Sequence, residues 1–188
     1  MHTPGLKVVA PATPADAKAM LKTAIRDDNP VIFIEHKMLY NQKGEVPRRS
    51  VPLPFGKARI VTRGTDVTIV AWSWMSVEAE AAAQDLAGRG IRAQVIDLRS
   101  LCPLDMEPVV DSVKKTGRLL IVEEGCRTAG ISAEIGFRVF EQVYDYLNAP
   151  IRRVTTPDIP ISASPVLEQA AIPGRKQIVQ AATELMKQ

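Results

Sequence analysis

The side chains that chemistry most often uses are sparse in this chain. It has two histidines, His2 and His36, and two cysteines, Cys102 and Cys126. Neither histidine stands near a nucleophile in a recognisable pattern. The strings GxSxG, Walker A and GxGxxG are absent. Gly88-Arg89-Gly90 is a lone GxG placed after a helical pattern and before a strand pattern. That is the reverse of the nucleotide-binding order, so it reads as a helix stop. The cysteines lack metal-ligand spacing and read as small, buried apolar side chains. The most unusual stretch is Glu123-Glu124-Gly125-Cys126-Arg127-Thr128-Ala129-Gly130. Two acids end a strand, and small residues lead into a helix. Ligands of open α/β sheets gather at the carboxyl ends of strands, and a helix N-terminus near Gly130 suits an anion. The plainer alternative is a tight turn in which Glu123 or Glu124 pairs with Arg127. The residues alone leave both open.

The elements that must position these residues alternate. Leu6–Val9 is a short apolar strand. Thr13, Pro14 and Asp16 form a helix start, with Asp16 where a capping-box acid sits. Ala17, Met20, Leu21, Ala24 and Ile25 then recur on one helical face, and Pro30 disfavours helix at Asn29. Val31–Ile34 is a continuous apolar run, expected to be a parallel strand buried on both faces. Residues 41–64 are crowded with Pro and Gly and read as a wrapping linker.

From residue 65 a second alternation is complete in itself. Strands are expected at Val67–Trp72, Ile91–Leu98, Leu119–Val122 and Ile151–Val154. The first helix between them carries Ala79, Ala82, Ala83 and Leu86 on one face. The next is capped by Asp105, faces inward through Met106, Val109, Val110 and Val113, and closes at Gly117. A third has Ala133, Gly136, Phe137, Phe140, Tyr144 and Leu147 on one side, and Ile178, Ala181, Ala182 and Leu185 mark a terminal helix. Strands alternating with helices predict an α/β fold, a three-layer sandwich with a mainly parallel sheet and right-handed crossovers.

With 188 residues, 46% hydrophobic and 24% charged, the chain is one large domain or one domain plus a fragment, long enough to bury a core without disulfides. No apolar run reaches the ~18 residues of a membrane helix, and the start MHTPGLKVVAP lacks a signal-peptide layout. A cytoplasmic protein is expected. Residues 1–64 hold 11 Lys/Arg against 5 Asp/Glu, and residues 65–188 hold 13 against 16. Only Phe55 interrupts the basic Arg48, Arg49, Lys57, Arg59 and Arg63, so nucleic-acid binding is not expected. A solvated connector, or a surface for an acidic partner, explains them.

Several strings together carry a resemblance. PGLKVVAPATPADAKAMLKTAIRDDNPVIFIEHKMLY is similar to the end of the pyrimidine-binding domain in the β-subunit of thiamine-diphosphate-dependent 2-oxo acid dehydrogenases. GTDVTIVAWSWMSVEAEAAA, VIDLRSLCPLD, TGRLLIVEEGCRTAGISAEI and YLNAPIRRVTTPDIPISASPVLEQAAIP resemble, in order, that subunit's transketolase-type C-terminal domain. VIDLRSLCPLD and a DAPxxRV-like segment, with Asn148 in its first position, are the most telling. Pyruvate dehydrogenase is the member assigned first. Acetoin and branched-chain 2-oxo acid dehydrogenases are relatives that these segments do not separate, and a free-standing α/β binding module is the reading from another class.

The resemblance implies a division into residues 1–40 (remnant of the pyrimidine-binding domain), 41–64 (linker) and 65–188 (transketolase C-terminal-type domain). Family β-subunits are about twice this length, so the chain resembles a truncated subunit without the acid and the histidine that serve thiamine chemistry. His2 is given no catalytic role, Glu35 reads as an interface or structural residue, and no residue here is assigned a catalytic or cofactor-binding role. Thiamine diphosphate and Mg would belong to the complete enzyme. Its implied partners are the α-subunit, a second β-subunit and the acyltransferase core. The resemblance also implies a potassium site built from backbone carbonyls of Ala24, Ile25, Asp27 and Asn29.

Overall fold

A computed structural model describes residues 1–49 and 51–188. Its elements are β1 (Lys7–Val9), α1 (Pro14–Ile25), β2 (Val31–Phe33), a 3₁₀ turn (Lys37–Asn41), β3 (Arg59–Thr62), β4 (Val67–Ala71), α2 (Trp74–Ala87), β5 (Ala93–Asp97), β6 (Ser100–Cys102), α3 (Glu107–Thr116), β7 (Leu119–Cys126), α4 (Ile131–Val143), a 3₁₀ turn (Tyr144–Tyr146), β8 (Arg152–Thr156), α5 (Pro165–Ala171) and α6 (Arg175–Leu185). The chain folds as two compact units. One holds Met1–Arg59, Trp72–Trp74 and Asp97–Asp105; the other holds Ile60–Ala71, Met75–Ile96 and Met106–Gln188.

The larger unit is the expected α/β architecture. Its sheet runs β3-β5-β4-β7-β8, and the β4–β7 and β7–β8 pairings are parallel. β4 and β5 are buried at every residue, as an apolar run inside a covered sheet must be. Helix α3 packs on β4, α4 on β7 and α6 on β8. Ala79, Ala82, Ala83 and Leu86 of α2 are all buried, as are Val109, Val110 and Val113 of α3. Gly117 ends α3 at φ 66°, a left-handed cap that glycine adopts without Cβ strain. Within this core Thr68 Oγ1 shares hydrogen bonds with Ser112 Oγ at 2.7 Å and Thr116 Oγ1 at 2.8 Å, so three buried hydroxyls satisfy one another.

The smaller unit has a three-stranded sheet, β2-β1-β6. Strands β1 and β2 are parallel, with α1 as their crossover, and β6 runs antiparallel to β1. Thr13 caps α1: its Oγ1 accepts the Asp16 N–H at 3.1 Å.

Several expectations are corrected. β2 is not buried on both faces: it is an edge strand, and Ile32 and Ile34 are exposed. The expected apolar face of α1 is only partly covered, since Met20 is buried while Leu21 and Ile25 are exposed. Residues 59–62, expected in a linker, form β3 at an edge of the larger sheet, and β6 was not anticipated. Asp105 does not cap α3; its Oδ2 accepts the Ala58 N–H at 2.9 Å, and Met106 holds the cap position. The stripe Phe137, Phe140, Tyr144 is solvent-facing, because Ile135, Val139 and Val143 occupy the inner side of α4. Cys126 is exposed and Cys102 half-buried, so neither is a fully buried apolar filler.

Candidate functional site

Three places carry the residues that the sequence singles out. The first is a cleft of about 220 Å³ at the carboxyl ends of β1 and β2, in the smaller unit. Its walls include Pro11, Thr13, Ala17, Glu35, His36 and Tyr40. Tyr40 donates to Glu35 Oε2 at 3.0 Å, and this bond, with the carboxylate charge, pushes the phenol pKa up. His36 Nδ1 accepts the Met38 N–H at 3.2 Å, which caps the 3₁₀ turn. The His36 ring stacks on Trp74 with centroids 6.2 Å apart. Glu35 and His36 are thus held near each other, each with a local structural partner.

The second is the stretch from Glu123 to Ser132. β7 runs four residues further than the apolar pattern suggested, so Glu123 and Glu124 lie inside the strand. Glu123 is buried and turned to the start of α4, where its Oε1 accepts the Ser132 N–H at 3.2 Å and the Ser132 hydroxyl. It caps the helix from a neighbouring strand, in the slot an anionic ligand would take. A Cβ on Gly130 would lie 2.3 Å from that Oε1 and 2.5 Å from the Cys126 carbonyl, so only glycine fits. Asp158 holds the turn by accepting the Thr128 N–H at 2.9 Å and its hydroxyl at 2.6 Å. These two bonds lower the Asp158 pKa. Of the two readings of this stretch, the structural turn is the one built, with Ser132 rather than Arg127 as the partner of Glu123.

The third is the end of α1. Asp27 accepts from Lys7 Nζ and from Asn29, and Lys7 above all holds its pKa down to about 2. The Ala24 carbonyl accepts the Asp27 N–H at 3.3 Å and also the Arg26 N–H. The end of a helix is its negative pole and its oxygens are hard donors, which fits a monovalent cation. Mg is a different case. Among the described residues, no three His, Cys, Asp or Glu side chains converge as a metal site.

A fourth cluster escaped the sequence reading. Arg99, in a left-handed conformation (φ 56°), donates from Nη1 to Asp16 Oδ1 at 2.9 Å. Its Nε and Nη2 reach the Lys57 carbonyl at 3.0 and 2.7 Å, and Nη2 also reaches the Ala58 carbonyl. Asp97, fully buried, accepts the Arg99 N–H at 3.2 Å and pairs with Arg59 at 3.4 Å. Both Arg99 and Asp97 belong to VIDLRSLCPLD, but the partner Asp16 is 83 residues away from Arg99, beyond any local signal. Every charge there has a protein partner, so the cluster anchors rather than reacts.

Comparison with known proteins agrees with this geometry. Residues 56–178 match the transketolase C-terminal domain and residues 1–43 the transketolase pyrimidine-binding domain. The β-subunit of acetoin:2,6-dichlorophenolindophenol oxidoreductase from Cupriavidus necator is 48% identical over 99% of this chain and 55% of its own length. The pyruvate dehydrogenase E1 β-subunit of Rhizobium meliloti is 48% identical over 96% of this chain and 39% of its own. The chain therefore spans about half the length, or less, of these relatives. A solved structure named as a split-gene transketolase, inactive β4 tetramer, superposes with a TM-score of 0.81 at 27% identity, covering 99% of this chain and 59% of that one. The chain belongs to the transketolase C-terminal domain family, carries a stretch of the transketolase pyrimidine-binding domain ahead of that domain, and has dehydrogenase E1 β-subunits among its homologues.

Proposed function

We propose that this chain is the non-catalytic, C-terminal portion of the β-subunit of a 2-oxo acid dehydrogenase, pyruvate being the first substrate assignment. Its work in this reading is assembly: it joins an α-subunit and a second β-subunit in the cytoplasm and offers a surface to the acyltransferase core. The observation that carries the reading is the pairing of two family matches, residues 1–43 and 56–178, in one chain. The 48% identity to the acetoin oxidoreductase subunit over 99% of the chain supports an acetoin-directed enzyme as the second reading. Thiamine diphosphate, which stabilises the carbanion of decarboxylation when bound, and its magnesium belong here to the complete enzyme. Glu35, tied to Tyr40, is structural.

The chain alone, given pyruvate, thiamine diphosphate, Mg and an artificial electron acceptor, is expected to stay at background, because the preorganised partner groups lie outside it. Immobilised, it should retain the α-subunit. Turnover that is lost in Glu35→Gln would overturn the non-catalytic role, and failure to retain the α-subunit would overturn the assembly role.

In the same reading, potassium is held by the carbonyls of Ala24, Ile25, Asp27 and Asn29. Exchanging potassium for tetramethylammonium at equal ionic strength should lower the melting temperature. Identical melting in the two salts would remove this site.

A further inference from the structure

Two acid-free runs lie side by side in the smaller unit. Residues 17–26, most of α1, hold no Asp or Glu, and neither do residues 46–59 of the connector. Hydrogen bonds lay the connector along the helix. Lys18 Nζ donates to the Pro47 carbonyl at 2.9 Å, the Leu53 N–H to the Ala19 carbonyl at 3.3 Å, and Thr23 Oγ1 to the Leu53 carbonyl at 2.7 Å. Met20 turns inward and is buried. On the outward arc Lys18, Lys22 and Arg26 recur at i, i+4 and i+8, a basic stripe with a rise of about 6 Å between neighbours. Leu21 and Ile25, 45% and 75% exposed, form an aliphatic stripe beside it. The connector flanks the basic stripe on its other side and adds exposed Arg48 and Arg49, with Val51 79% exposed. Like charges at i, i+4 weaken a helix. Solvation accounts for the cations, but not for the aliphatic side chains set among them.

We propose that this face of α1 and the connector docks an acidic amphipathic helix of a partner protein. Charge complementarity selects the occupant. Carboxylates repeating at i, i+4 and i+8 on a helix match the rise of Lys18, Lys22 and Arg26, and apolar side chains next to them cover Leu21 and Ile25. Arg48 and Arg49 extend the positive field beyond the helix, which steers an acidic partner and fixes its register. An anionic membrane asks for a broader apolar face, with Trp or Phe in it, and the outward arc of α1 offers two aliphatic side chains. A nucleic-acid strand asks for aromatic rings on which bases stack, and α1 has none. The docking needs neither thiamine chemistry nor the α-subunit, so it stands or falls apart from the reading above.

The full chain is titrated against a fluorescein-labelled helical peptide with glutamates at i, i+4 and i+8 and leucines at i+3 and i+7, and binding is read by anisotropy. Binding is expected, weakening at least about tenfold from about 50 to about 300 mM salt. Amide chemical shifts should change in α1 and at Arg48 and Arg49. Lys22→Glu/Arg26→Glu should weaken binding by about tenfold or more, and Leu21→Ser by about fivefold. These side chains point outward, and an unchanged melting temperature would show that the variants fold. A peptide with glutamines in place of its glutamates tests the same charges without altering the chain, and should lose at least about tenfold in affinity. No binding of the glutamate peptide overturns the proposal. So does equal affinity for the glutamine peptide, or shifts confined to the larger unit. Tighter binding to phosphatidylserine vesicles than to the peptide, through the same residues, would overturn it in favour of a membrane.

Discussion

Arg99→Met should destabilise the smaller unit by about 3–5 kcal/mol, the usual cost of removing one partner of a buried ion pair and stranding the other. The side chains of Arg99 and Asp16 are only 10% and 11% exposed, so solvent screens little of the interaction. The loss is more than one salt bridge. Asp16 keeps only the longer contact to Arg59 at 3.8 Å, and the carbonyls of Lys57 and Ala58 lose the donors that tie the connector down. Arg99→Lys should recover little, because an ammonium cannot reach a carboxylate and two carbonyls in the plane of a guanidinium. Both tryptophans, Trp72 and Trp74, lie in the smaller unit, so tryptophan fluorescence in a urea titration reads the effect where it arises. In Asp16→Ala/Arg99→Met the combined loss should fall well short of the sum of the single losses, since each single change leaves a buried charge without its short, 2.9 Å partner. A cost below about 1 kcal/mol for Arg99→Met, or strict additivity in the cycle, would mean that the cluster anchors nothing.

The larger unit was readable in the sequence because each of its signals is local. VTIVA is apolar at every position and becomes a strand buried at every position, and Gly117 marks the left-handed end of α3. The errors have a shared cause, which is that periodicity gives a face but not what lies against it. On α4 the aromatic stripe had the more conspicuous residues, yet the smaller Ile135, Val139 and Val143 fit under the helix. On β2 a run of four apolar residues implied cover on both sides, and the sheet ends there. The same limit hid the Asp16–Arg99 pair. Asp16 was visible as a capping acid three residues after Thr13, and it does keep that place, but its carboxylate also serves a guanidinium 83 residues on. The Glu123 stretch was flagged for its composition, and its role emerged only once β7 had been extended past Val122. Glu123 then faces the start of α4 nine residues later.

That placement sets the second large effect. Glu123→Ala should cost about 3–4 kcal/mol, because it empties buried volume and leaves the Ser132 N–H and hydroxyl without their acceptor. Gly130→Val should cost a similar amount by the opposite route. Its Cβ would overlap a carboxylate oxygen and a backbone carbonyl, of which only the first belongs to a side chain that can move. Glu123→Gln separates a cap from a reactive carboxylate. An amide oxygen still accepts the Ser132 N–H, so the loss should fall to about 1–2 kcal/mol, mainly the weaker interaction with the positive end of α4. The measurement is urea unfolding followed by circular dichroism at the helix band, since both tryptophans lie in the other unit. The order predicted is wild type, then Gln, then Ala and Gly130→Val together. Wild-type stability in Glu123→Ala would sink the cap, and the buried acid would then have to be accounted for by a ligand at the start of α4.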